Sequence, residues 1–318
     1  MSHWINMHER VEDYLTARRR LGYKLQIEGQ ELHRFARFAE QHGHSGALTI
    51  ELAVAWANTA TSSDLYRARH LETVRVLAKY CALFEPETEI PPSRLLGPAH
   101  RRMSPHIYTM QEIAKLLDAA VELKPQDGLR PATMRCLLGL LYATGMRISE
   151  ALHLKCGDVD FEQGIIIVKE TKFRKCRYVP LHPTTVQALD DYARFRDRQM
   201  PTTSAAAPFF LSDNGKPFNY RQGLHAFQSL RRQIDWESPG RRPPRVHDLR
   251  HTFACHRLLA WYEEGVDVNK AILLLSVYLG HSKATDTYWY LTGIPSLMDL
   301  AAKRFESSAS KGQEVSHE

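Results

Sequence analysis

The sequence is short of the devices that hold small secreted proteins together. Its five cysteines (Cys81, Cys136, Cys156, Cys176 and Cys255) are odd in number and widely spread, and none forms a Cys-x-x-Cys pair. That spacing excludes a zinc ribbon and a disulfide framework. A reducing, cytoplasmic setting is the expectation, with all five thiols buried. Long apolar runs are missing too. The longest, Cys136–Ala143 and Ala271–Leu279, fall well short of the ~20 residues that span a bilayer and read as buried helices. The first ten residues carry no apolar core behind a basic start, so they do not form a secretory signal. No segment repeats. Neither sign of charge dominates: 42 Lys and Arg stand against 36 Asp and Glu, a formal charge of +6. That excess permits a polyanionic partner without demanding one.

What is present is ordinary globular composition, 43% hydrophobic and 25% charged over 318 residues. This length suits two domains, each able to bury a core. Residues 1–85 read as a helical domain. Val11, Tyr14, Leu15 and Arg18 fall at helical spacing, and Leu21-Gly22 offers a stop. Leu32, Phe35, Ala36 and Ala39 mark a second helix ending near Gly43. Thr49 suits a cap for a third helix, and Ser62 or Ser63 for a long fourth. Residues 86–105 are rich in proline (Pro86, Pro91, Pro92, Pro98, Pro105) and read as a linker. Its arginines make it either a basic strap around a polyanion or a plain connector.

A second domain is expected over residues 106–306. Thr109-Met-Gln-Glu112 fits a capping box, and Ala132–Tyr142 is nearly all apolar, as a central helix would be. Then the pattern changes to strands. Val159–Phe161, Gly164–Glu170 and Tyr178–Leu181 flank a basic turn, Lys172–Arg177. Helices resume over Pro183–Arg198, Asn219–Ile234, His247–Trp261 and Asn269–Leu279, with short ones near 285–291 and 296–305. Pro201–Pro208 reads as a mobile loop and Phe209–Leu211 as a short strand. Residues 307–318 read as a disordered tail. The fold class is therefore mainly α with a small antiparallel β-sheet, a helical domain followed by an α+β domain.

The chemistry concentrates in Val246–Tyr290. On a helix, His247, Arg250 and His251 share one face. Two histidines four apart also resemble half a zinc site. Against metal, Asp248 is one methylene shorter than the usual Glu, and Arg250 would repel the ion. A purely structural helix start, with His247 as the capping group, is the third alternative. Upstream, Arg147 follows a Thr-Gly turn and precedes a helix. A guanidinium matches two phosphate oxygens and stays charged at any working pH, so Arg147 and Arg250 together suit a metal-free phosphate clamp. Singly, a surface salt bridge explains either one as well.

Taken in order, Thr144-Gly-Met-Arg-Ile-Ser-Glu-Ala-Leu152, His247-x-x-Arg250, Leu279-Gly-His281 and Tyr290 resemble the signature of the tyrosine recombinases, or phage integrase family. Lys172, placed by Arg177-Tyr-Val-Pro-Leu181, matches that family's hairpin lysine. The resemblance covers roughly Tyr108 to Phe305. It implies that residues 1–85 are a core-binding, SAM-like DNA-binding domain and residues 106–306 the catalytic domain. It also implies roles. Tyr290 would be the nucleophile that forms a 3′-phosphotyrosyl link. Arg147 and Arg250 would clamp the non-bridging oxygens, and His281 would hydrogen-bond the transition state. His247 would accept or relay the tyrosine proton, and Lys172 would protonate the leaving 5′-oxygen. Glu150 would orient the site. Tyr288 remains a rival nucleophile, and Arg174 and Lys175 rival Lys172. No metal and no cofactor is implied.

The implied partner is a double-stranded DNA recombination site, gripped through phosphates. Candidate contacts are Arg67, Arg69, Arg101, Arg102, Arg174, Arg241 and Arg242. Family assembly implies a homo-tetramer on DNA, a monomer being open without it, with Ser296–Phe305 packing on a neighbour and no membrane involved. The sequence opens almost directly on the helical domain. No additional arm-binding domain is expected, therefore, and a simple site suffices. The expected function is site-specific recombination or integration for a mobile element. The alternatives are a type IB topoisomerase-like nicking-closing enzyme and a non-cleaving DNA-binding accessory protein.

Overall fold

A computed structural model describes residues 4–100, 104–169, 176–201, 204–237, 243–280 and 287–288. The chain divides into two compact units, Met1–Met103 and Ser104–Glu318.

Among the described residues the first unit has four helices: α1 (Met7–Arg20), α2 (Gln26–Gln41), α3 (Ile50–Asn58) and α4 (Asp64–Cys81). Their starts are fixed as the sequence predicts. Thr49 accepts from the Leu52 amide, and Ser63, the nearer of the two candidate caps, from the Tyr66 amide. The apolar faces of all four helices meet in one core that includes Val11, Leu15, Phe35, Trp56, Val74 and Leu77.

The proline-rich segment does not stand apart from this unit. Arg69 Nε donates to the Ala99 carbonyl and Arg75 Nε to the Pro91 carbonyl. Glu89 accepts from the Ile50 amide, Leu96 packs on the core and Ala99 is buried. Proline leaves carbonyls without ladder partners, and the arginines of α4 supply the missing donors. Residues 86–100 therefore belong to the helical unit, and the boundary falls near 103 instead of spanning 86–105. Arg101 and Arg102 lie outside the described residues.

The second unit has seven helices among the described residues: α5 (Met110–Val121), α6 (Leu129–Thr144), α7 (Ile148–Leu152), α8 (Pro183–Gln199), α9 (Tyr220–Arg231), α10 (Asp248–Glu263) and α11 (Val268–Leu279). The predicted capping box of α5 is present, with Thr109 and Glu112 exchanging backbone hydrogen bonds. α6 is the central helix, packed by α5, α8 and α10. Three strands, β1 (Val159–Asp160), β2 (Ile165–Val168) and β3 (Arg177–Pro180), form an antiparallel meander in that order. Its inner face buries Ile166, Val168 and Val179 in the same core as α6.

Three expectations change. Residues 204–208 are not a free loop. Cys156 donates its amide to the Ala207 carbonyl, Gly157 to Ala205, and Phe209 to Leu154. The short strand expected at Phe209–Leu211 appears only as isolated bridges, Lys155 to Pro208 and Leu211 to Pro217. Burial of Phe209 and Phe210 draws the segment down onto the body. Cys176, expected to be buried, is exposed at the start of β3. The hairpin tip at 170–175, the segment from 289 onward with its expected helix at 296–305, and the tail lie outside the described residues. Of the short helix expected near 285–291, Thr287 and Tyr288 are described and helical.

One polar pair organises the helical unit. Arg10 and Glu85 are 2% and 6% exposed, and Arg10 Nε meets Glu85 Oε2 at 2.8 Å. Removing one partner strands a buried charge. Glu85→Ala in the full chain is expected to lower the stability of this unit by about 3 kcal/mol, read by urea unfolding followed through tryptophan fluorescence.

Candidate active site

The site starts at the end of α6. Gly145 closes that helix at φ +62, in the left-handed region that disfavours a side chain. A Cβ there would also come within 2.5 Å of Phe253 Cδ1 on α10. The turn delivers Arg147 to the N-cap of α7, where its amide donates to Glu150 Oε2 at 2.9 Å. Its Nη1 donates to Glu150 Oε1 at 2.9 Å and its Nη2 to the Gly280 carbonyl at 3.1 Å. The side chain stays about one-third open, at 35% exposure.

Arg250 comes to the same place from α10. It is 3% exposed. Its Nη1 donates to the Gly145 carbonyl at 2.7 Å and its Nη2 to the Leu279 carbonyl at 2.6 Å. Leu279 and Gly280 are successive residues at the end of α11, which Gly280 closes at φ +67. The last carbonyls of a helix lack intrahelical donors, and its C-terminus carries partial negative charge. The two guanidiniums supply both missing elements, and so they sit on adjacent peptide groups. One is buried and the other faces solvent.

Glu150 is the counter-charge. Besides Arg147, it accepts Arg177 Nη1 at 2.9 Å and Arg177 Nη2 at 2.7 Å. Burial alone would raise its pKa. The hydrogen bonds and charge of Arg177, with the hydrogen bonds of Arg147, outweigh burial and hold the carboxyl down at about 2. The cluster therefore keeps a net positive charge.

His247 occupies the N-cap position of α10 but its side chain makes no capping hydrogen bond, so the structural-cap reading finds no support. The ring keeps an open surface, yet the protein packed around it disfavours the charged form. Arg250, Arg245 and Arg147 add repulsion, and the pKa falls below its ordinary 6.5 against the opposing pull of Asp248. Its ring meets His251 edge to face at 5.0 Å. Asp248, the acid of the metal alternative, is buried and engaged by Arg245, whose Nη2 lies 2.7 Å from Oδ1. Among the described residues, no three His, Cys, Asp or Glu side chains converge as a metal site requires.

The structure thus brings together Arg147, Glu150, His247 and Arg250 of the predicted set. Lys172, His281 and Tyr290 lie outside the described residues, as do Arg174, Lys175, Arg241 and Arg242. Tyr288, the rival nucleophile, is 41% exposed beside a buried Thr287. In the helical unit, Arg67 pairs with Asp64 one turn away, and Arg69 holds Ala99. Arg177 went unrecognised as a site residue. The signal was available, because Arg177 stands two residues from the apolar Val179 and so shares its strand face.

Comparison with known proteins now places the chain. Its fold is that of solved DNA-processing enzymes. One is the Tn1549 transposon integrase in complex with a circular intermediate DNA, at TM-score 0.68 and 19% identity, covering 90% of this chain and 95% of that one. Another is the XerH site-specific recombinase bound to a palindromic difH substrate, at TM-score 0.61 and 19% identity, covering 88% and 78%. The phage integrase family model matches residues 107–293. The putative integrase/recombinase y4rB of Sinorhizobium fredii is 40% identical over 93% of this chain and 96% of its own length. Tyrosine recombinase XerD of Mycobacterium tuberculosis is 30% identical over 87% and 90%. The chain belongs to the phage integrase family, the tyrosine recombinases, enzymes that cut and rejoin DNA.

Two outcomes follow from the geometry. Gly145→Ala forces a left-handed residue and a clash with Phe253, and is expected to cost about 3 kcal/mol in thermal unfolding. Glu150 has a lowered pKa, so its stabilising contribution is complete above its ordinary 4.5 and is lost as pH falls toward about 2. Glu150→Gln is expected to flatten that part of the stability-versus-pH curve. An unchanged curve would place the carboxylate outside the arginine cluster.

Proposed function

We propose that this chain is a site-specific recombinase or integrase that breaks and rejoins duplex DNA through Tyr290, in the service of a mobile element. The observation that carries the reading is the anchoring of Arg147 and Arg250 on successive carbonyls of one helix end. Two pre-set cations beside an open surface suit a phosphate whose negative charge grows in the transition state. Relatives named integrase/recombinase over nearly the whole chain support the mobile-element role, and the DNA complexes of the Tn1549 integrase and XerH support DNA as the partner.

In this mechanism the Tyr290 hydroxyl loses its proton to His247, whose depressed pKa keeps it neutral and able to accept at pH 7. The phenolate attacks the phosphorus, forming a 3′-phosphotyrosyl bond, and the bond to the 5′-oxygen breaks. Lys172 gives that oxygen its proton. Arg147 and Arg250 hold the non-bridging oxygens, and His281 adds a hydrogen bond. Because one phosphoester replaces another, rejoining needs no external energy source. Four copies would assemble on two duplexes in the cytoplasm, with Ser296–Phe305 docking on a neighbour. Residues 1–85 would serve as the core-binding domain, and Arg67, Arg69, Arg101, Arg102, Arg174, Arg241 and Arg242 would meet phosphates, so affinity would fall steeply with salt.

The test is covalent capture on a nicked suicide duplex built from DNA that flanks the gene. Wild type and Tyr288→Phe should form the adduct, and Tyr290→Phe should not. Absence of any wild-type adduct favours the accessory-protein reading. Supercoil relaxation without junction formation favours the topoisomerase reading. The rate of capture should persist as pH falls through 6.5 and decline only at lower pH, because the His247 pKa is shifted down. A decline that begins above 6.5 would remove His247 as the base.

A further inference from the structure

We propose that Arg177 is a positioning residue for the cleavage step: through Glu150 it sets the aim of Arg147, and it ties the stem of the β2–β3 hairpin to α7. The proposal rests on the recombinase reading above and assigns a role to a residue outside the six that carry the chemistry there.

Register makes this possible. Arg177 pairs with Val168 across the ladder, and Val179 pairs with Ile166. Cross-strand partners point to the same side, so Arg177 shares the inner face with three buried aliphatic residues. Tyr178, between them in sequence, is 70% exposed on the other face. A slip of one residue would turn Arg177 outward. Facing inward, its side chain is only 13% exposed, and both Nη groups go to Glu150. With both Nη groups on the carboxylate and its Nε buried, this guanidinium presents no exposed fork to a phosphate. That separates Arg177 from Arg147, which shares the same carboxylate but keeps an open surface.

The end of α11 lies close by. A Cβ on Gly280 would lie 3.2 Å from Arg177 Nη1 and 3.8 Å from Arg147 Nη1. The glycine of Leu-Gly-His therefore answers two demands, a left-handed backbone and room for the Arg177 guanidinium, the Arg147 nitrogen being at ordinary contact distance. On the other strand, just beyond β2, Lys169 Nζ lies 2.5 Å from Asp158 Oδ1, and Asp158 is buried. The two basic residues that flank the hairpin tip are thus tied to carboxylates of the body, and Lys172 lies between them in sequence.

The experiment measures DNA affinity and single-turnover adduct formation separately, with full-length protein and the same suicide duplex at saturating enzyme. Arg177→Lys keeps the charge and loses the two-pronged contact. Its cleavage is expected to slow by roughly 100-fold while Kd changes less than about threefold. Arg147→Lys is made alone and combined with Arg177→Lys. If Arg177 acts through Arg147, the double variant is no slower than Arg147→Lys, because coupled sites do not add. Defects that multiply overturn the proposal, as does a loss of affinity with an altered salt slope, which marks a direct phosphate contact. A lowered melting temperature with a wild-type cleavage rate also overturns it and leaves only a structural role. A wild-type protein that forms no adduct defeats the recombinase reading and this proposal with it. A wild-type adduct together with an unimpaired Arg177→Lys defeats this proposal alone.

Discussion

Two guanidiniums on the last carbonyls of one helix are the contact on which the rest of the second unit depends. A helix end leaves acceptors without donors, and in a buried place that is costly. Here α11 ends against Arg147 and Arg250, which arrive from distant parts of the chain. Each arginine is thereby fixed at a known peptide group. The helix end is satisfied, and the cations gain an orientation that a flexible surface side chain would lack. The glycines at 145 and 280 follow from this contact. One lets the backbone turn under Phe253 so that its carbonyl reaches Arg250, and the other leaves room for Arg177.

Clustered cations repel one another, and Glu150 is the remedy. Shared between Arg147 and Arg177, it stays ionised far below the usual carboxylate range, for the reason that it is never offered a neutral neighbourhood. A single buried carboxylate thus links α7, β3 and, through Arg147, the end of α11. The positive charge that remains faces the open side. His247 borders it and is pushed toward its neutral form partly by the same cations. In the proposed mechanism phosphate binding and proton acceptance would draw on one electrostatic arrangement.

Much of this could be read from the sequence where a local rule applied. Caps at Thr49, Ser63 and Thr109, the glycine stops and the β-branched run at Ile165–Val168 each act within a few residues, and they appear where expected. The nearness of Arg147, Glu150, His247 and Arg250 followed from ordered motifs together and from none of them singly. What escaped were contacts made over long separations by residues with no local mark. The proline-rich segment looked like a tether because nothing near it in sequence shows that Arg69 and Arg75 bond its carbonyls. Residues 204–208 looked free because their partners are backbone groups some fifty positions earlier. Arg177 looked like one more basic residue of a turn, since its carboxylate partner lies on α7.

In the proposed mechanism Arg147 and Arg250 together neutralise one scissile phosphate. The decisive measurement replaces that phosphate with an uncharged methylphosphonate in the suicide duplex and follows adduct formation by Arg147→Ala and Arg250→Ala. If the arginines serve to offset charge on the non-bridging oxygens, removing one of those charges should restore measurable cleavage to variants that are inert on the ordinary phosphodiester. Variants that stay equally inert on the neutral linkage, with the wild type forming its normal adduct on the phosphodiester, would contradict the account.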